Sequence, residues 1–197
     1  MNTAKALTNL AESWLEQGAR ERGSNRGPDV SWFIHDGGGR PDKAPPWCAY
    51  FVSSLCRQLE RCGFDLDAPK TGRAVNFWLK TDDHQHVDRD HIWSEKPDGL
   101  VFVRTRLSKS ERERDKVLNG MSRQGHTGIV TYIDTTAREI HCVAGNSSGF
   151  GHSRVRGGGQ VAREIIREGD DAWARLVGFV RVVPFQERIA GAPLRSA

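Results

Sequence analysis

The apolar residues change their spacing partway along the chain, and that change limits the folds open to it. Between residues 4 and 18, Leu7, Leu10, Ala11, Trp14, Leu15 and Gly18 recur at the i, i+3, i+4, i+7 spacing of one helical face. Tyr50, Phe51, Val52, Leu55, Cys56, Leu59 and Cys62 predict a second helix, apolar on more than one side and stopped by Gly63. Pro45 and Pro46 lie just upstream, where proline is compatible with a helix start. A short helix is expected over 74–79. Beyond it the apolar residues come in short runs, and 99–103, 128–134, 140–143 and 176–183 read as strands. Short gaps between such runs favour antiparallel pairing. Helices first and strands after predict an α+β fold.

The remaining tracts read as connections. Residues 20–46 are rich in Gly and Pro and predict a loop with a short ordered piece at 30–34. The charged tract 104–124 reads as an inserted loop or an exposed helix, and 147–160 as a Gly- and Ser-rich loop. One domain is expected over 1–184, followed by a loosely ordered tail at 185–197. A chain of 197 residues buries a core without metal or disulfide staples. Its 4 Cys form no C-x-x-C pair and no zinc-like spacing, so a reducing compartment is the simplest setting for folding.

Composition excludes several functions. Nowhere do about 18 apolar residues run together, so no membrane-spanning helix is expected. The first residues lack an apolar h-region, because Glu12 and Glu16 interrupt it; synthesis in the cytoplasm without a secretory signal is the expectation. The net charge of +4 favours an anionic partner. The basic residues are scattered and do not interleave with aromatics, so nucleic acid is not the expected one. Asp82, Asp83, His84, His86, Asp88, Asp90 and His91 form a dense polar cluster that either holds a metal or is a solvated surface; the loop context favours the surface, and no metal is assigned.

Cys48 stands where the Pro-rich loop turns into a helix. The first turn of a helix offers unpaired N–H groups and a partial positive charge, which stabilise a thiolate and an oxyanion beside it. The alternative is a small buried hydrophobe. His126, flanked by Gly125 and Thr127-Gly128 at a strand entrance, is the base such a nucleophile needs; otherwise it is a surface loop histidine, and His152 is a lesser rival. Asn146 is of the type that holds an imidazole in one tautomer, or it is part of an ordinary Gly-Asn-Ser turn.

At this point the residues resemble a family. Ala44-Pro45-Pro46-Trp47-Cys48-Ala49-Tyr50-Phe51-Val52 resembles the nucleophile motif of CHAP domains, the cysteine, histidine-dependent amidohydrolases and peptidases grouped with the NlpC-type papain-like hydrolases. Gly125-His126-Thr127-Gly128-Ile129-Val130 is similar to the family's histidine strand, and residues 140–147 to the strand of its third residue. Residues 21–30 are similar to a segment before the nucleophile in an amidase-like branch. Two departures stand out. Many CHAP domains carry Glu two residues before the Asn, where this chain has Ala144, and the 104–124 tract is longer than the connection usual there.

The resemblance implies a papain-like fold, with a nucleophile-bearing helix packed on an antiparallel sheet. It implies cleavage of a peptidoglycan amide through a thioester on Cys48, with His126 as base and acid, Asn146 as orienting group, and no cofactor. N-acetylmuramoyl-L-alanine amidase and peptide endopeptidase are both open. Trp47, Asn76 and Trp78 become candidate substrate-binding residues, although packing in the core is the competing role for the tryptophans. The expected setting is an antibacterial effector, such as type VI secretion cargo paired with an immunity protein. A holin-released phage-type endolysin, a protein-directed cysteine protease or deamidase toxin, and an inactive wall-binding module are the alternatives.

Overall fold

The computed structural model of the chain describes residues 3–64, 66, 68–97, 99–106, 116, 119, 125–148 and 159–182. The two tracts with helical spacing form α1 (Thr3–Glu16) and α3 (Cys48–Arg61). Between them Pro28 starts a further helix, α2 (Pro28–Asp36), where only a short ordered piece was expected. A proline is accommodated there because the first helical N–H has no intrahelical partner to lose. The short helix α4 spans Asn76–Leu79.

The strands are β1 (His86–Val87), β2 (Leu100–Thr105), β3 (Gly125–Asp134), β4 (Glu139–Ser147), β5 (Gln160–Arg167) and β6 (Leu176–Arg181), with a four-residue helix α5 (Asp171–Ala174) before β6. They form one six-stranded sheet in the order β1-β6-β2-β3-β4-β5, with every pair antiparallel. The molecule is thus α+β. β5 falls in a stretch where sequence periodicity predicts no strand. Among the described residues no helix is long and apolar enough to cross a membrane. The tail 185–197, His152 and most of the charged 104–124 tract lie outside the described residues.

Alternation along the strands divides the core in two. Val101, Val103, Ile129, Val143, Val161 and Val177 pack with α1, α2 and α3. Phe102, Val130, Cys142, Ala144, Ile166 and Phe179 form a second cluster with Ile92 and Trp173 on the opposite face. α3 is fixed at several points along its length. Ser53 Oγ donates to the Thr71 carbonyl (2.9 Å) and accepts from the Thr71 N–H (2.9 Å). Arg61, in the last turn, pairs with Asp36 of α2 (2.8 Å). Gly72 lies against Tyr50, where an added Cβ would sit 2.2 Å from the ring, so a larger residue there would have to push the tyrosine ring aside.

Candidate active site

Cys48 is the first residue of α3, and Trp47 before it provides no side-chain cap for the helix N-terminus. No acidic residue occupies the first turn. The partial positive charge of the helix end is therefore not offset locally. Cys48 is 3% exposed and lies on the wall of a cavity of about 450 Å³, with Pro46, Gly72, Arg73, Ala74, Arg106 and Gly125.

β3 brings His126 to this thiol, and β5 brings a carboxylate to His126. Glu164 Oε1 lies 2.9 Å from His126 Nε2. The same oxygen accepts from Ser147 Oγ at 2.6 Å, and Oε2 accepts from Arg104 Nη2 at 2.8 Å. With Nε2 engaged by Glu164, His126 Nδ1 is left for the sulfur. It is buried and, among the described residues, has no partner of full hydrogen-bond geometry, yet thiol and imidazole are close enough to shift each other's pKa. A loose contact of this kind is common before substrate binds.

The electrostatics follow from these neighbours. Burial pushes the Cys48 thiol up, but His126, the charge of Arg106 and the Thr127 backbone together draw it below its ordinary value. Burial works against the charged form of His126, while Glu164 and Cys48 outweigh it and raise its pKa. Burial also disfavours ionised Glu164; His126, Arg104 and Ser147 reverse that and hold it well below the usual carboxylate range. A depressed thiol beside a raised imidazole favours a thiolate–imidazolium pair, the reactive form of a cysteine nucleophile.

Asn146, expected as the orienting group, lies beside the imidazole's partner rather than in contact with the ring among the described residues. A register shift in the β4–β5 pairing falls between Ala144 and Ser147, and Asn146 there adopts a left-handed backbone (φ 54°). A bulge changes which residues face a given side of a sheet. Ser147, rather than Asn146, consequently reaches the Glu164 carboxylate. Asn146 lines a neighbouring cavity of about 270 Å³ with His126 and Glu164, and it makes no hydrogen bond to His126 among the described residues. The carboxylate that contacts the imidazole is that of Glu164. Ala144, where a carboxylate is common in CHAP domains, is fully buried and pairs with Ala162, two residues before Glu164.

The three residues expected to bind substrate line neither of these cavities. Trp47 has no exposed surface. It stacks on Phe33 (5.6 Å between centroids, 3° between planes) and donates from Nε1 to Glu21 Oε1 at 2.8 Å. Trp47 is thus a core residue, and Glu21, from the segment upstream of the nucleophile, secures it. Trp78 stacks on His86 (4.0 Å, 14°) and covers Gly178 of β6. Asn76 Nδ2 donates to Thr71 Oγ1 at 2.9 Å, which steadies the 71–75 wall from behind. Within the polar cluster of 82–91, His86 Nε2 lies 3.0 Å from both Thr81 Oγ1 and the Trp78 carbonyl. No group of three or more His, Cys, Asp or Glu with metal-binding geometry occurs among the described residues.

Sequence periodicity did not single out Glu164, Arg104, Ser147 or Arg106. Glu164 did leave one signal: in QVAREIIR it shares its side of the strand with Ala162 and Ile166, a charge in the apolar phase of an alternating run. Comparison of the chain with protein-family models, with curated proteins and with solved structures finds no match to any of them.

Proposed function

We propose that this chain is a cysteine amidohydrolase or peptidase of the papain-like CHAP type that cleaves an amide bond of peptidoglycan. The observation that carries the proposal is the buried line Cys48, His126, Glu164, with the thiol at an uncapped helix N-terminus and its pKa held down. The resemblance of the 44–52 and 125–130 segments to CHAP motifs supports the reading, and it is what favours a cell-wall substrate.

The reaction follows from the charges. The Cys48 thiolate attacks the scissile carbonyl carbon, forming a C–S bond and an oxyanion. The Cys48 backbone N–H, at the start of α3, donates to that oxyanion. His126 gives its proton to the amide nitrogen, the C–N bond breaks, and the amine leaves. Water then attacks the thioester and loses a proton to His126. The C–S bond breaks, the carboxylic acid leaves, and the thiolate–imidazolium pair is restored. Glu164 is a positioning residue here: it holds the ring and stabilises its protonated form.

The test is digestion of purified sacculi by wild type and by Cys48→Ala under reducing conditions, with released muropeptides read by mass spectrometry. New fragments from wild type alone are expected, and their masses identify the bond. Intact sacculi with folded wild-type protein would overturn the wall-hydrolase reading and point to protein substrates.

A further inference from the structure

Among the described residues, the lining of the cavity in front of Cys48 carries two positive charges and no acid. Arg73 and Arg106 line it from opposite sides of the chain order, one on the 71–75 wall and one just past β2. The other described residues lining it are Pro46, Cys48, Gly72, Ala74 and Gly125. Elsewhere in the molecule arginines are commonly paired: Arg61 with Asp36, Arg104 with Glu164, Arg138 with Glu168, Arg163 with Glu12. Neither Arg73 nor Arg106 has an ion-pair partner among the described residues, and both are exposed.

Two unpaired guanidiniums beside a nucleophile form a receptor for an anion. A cavity of about 450 Å³ holds only the few residues around a scissile bond. The anion must then belong to the same substrate, a few bonds from the carbonyl that Cys48 attacks. The anion a peptide offers at that distance is a free carboxylate, and guanidinium matches carboxylate geometry with paired hydrogen bonds. We propose that Arg73 and Arg106 are specificity-determining residues that take a free carboxylate of the stem peptide, so that stems with this group converted to a carboxamide are poor substrates. The proposal rests on the hydrolase reading above and narrows its substrate to acidic stem peptides.

The experiment uses synthetic muropeptides that differ in one group: the stem carboxylates free, the glutamate α-carboxylate amidated, or the diamino acid carboxylate amidated. The readout is the ratio of kcat/KM for the free peptide over each amidated one. Arg106 also lowers the Cys48 pKa, and that effect is common to all three substrates, so it cancels in the ratio. Wild type is expected to prefer the free form over one amidated form by about tenfold or more, the size of a lost charge-assisted hydrogen bond. Arg73→Gln and Arg106→Gln should each bring the ratio towards one. A wild-type ratio near one, or a ratio that both substitutions leave unchanged, would overturn the proposal while leaving the hydrolase reading intact. If no peptide is cut, the hydrolase reading falls, and calorimetric binding of the free and amidated peptides to Cys48→Ala decides the arginine assignment. Equal affinities would end it; tighter binding of the free form that is lost in the Arg73→Gln background would sustain it.

Discussion

Replacing Glu164 by glutamine tests the centre of the site with little change of shape. Glu164 is 8% exposed and is held by His126, Ser147 and Arg104 at 2.9, 2.6 and 2.8 Å. Glutamine keeps an acceptor oxygen but removes the charge that faces both Arg104 and the imidazolium. Stripping one partner from a fully buried ion pair costs about 3–5 kcal/mol. Arg104 keeps 21% of its side chain exposed, so water offsets part of the loss, and we expect about 2 kcal/mol of lost unfolding free energy. The effect on the site is larger. Glu164 contributes the main charge that raises the His126 pKa; without it the ring loses its proton at lower pH. A neutral ring no longer holds the Cys48 thiol down, so the thiolate forms at higher pH. The window in which thiolate and imidazolium coexist narrows from both sides, and kcat/KM at neutral pH should fall about a hundredfold or more. The pH dependence of Cys48 alkylation by iodoacetamide reads the same window without any substrate. A folded Glu164→Gln protein with the wild-type alkylation profile would refute the reasoning. So would an Asn146→Ala protein that narrows the profile as much as Glu164→Gln does.

The other cysteines should behave as their surroundings dictate. Burial pushes Cys56 up to about 12 and Cys142 well above the ordinary thiol value, so at pH 7 alkylation mapped by mass spectrometry should mark Cys48 and exposed Cys62 and spare these two until the chain is unfolded; labelling of Cys56 at the rate of Cys48 would contradict this. Acid should destabilise the fold through Glu164. Its folded pKa lies below the ordinary 4.5, so its stabilisation is complete above that value and declines as pH falls towards the folded one. The urea midpoint should drop between pH 6 and pH 3, and by less in Glu164→Gln; equal drops would remove Glu164 as the cause. Gly145→Ala would place a Cβ 2.6 Å from the Phe51 Cβ and from the Trp47 ring, an overpacking that costs about 1–3 kcal/mol in urea unfolding; an unchanged midpoint would show that α3 can move away from β4.

Much of the frame was legible because the signals are local. The head of α3 follows from Pro45-Pro46 and the apolar residues after them, and the strand carrying His126 from an apolar run behind Gly-His-Thr-Gly. Two elements were missed for identifiable reasons. The Gly27-Pro28 pair reads as loop, yet it starts α2, because proline at the first helical position loses nothing. β5 is broken up by Arg163, Glu164 and Arg167, so its apolar count is too low for a strand reading, and its pairing with β4 supplies what periodicity does not.

The sequence by itself therefore determined which residue types stand at the head of a helix and at the mouth of a strand, since both depend on neighbours a few positions away. Only the tertiary structure decided what orients the histidine. Glu164 is 38 positions from His126 in the chain, and a contact across that separation is created by sheet order. The bulge at Asn146 then turned Ser147 towards the carboxylate in place of the asparagine. The pKa balance belongs to the same level. Burial alone would favour the uncharged thiol, imidazole and carboxylate, and it is their mutual approach, with Arg104 and Arg106 alongside, that shifts each of them towards its charged form.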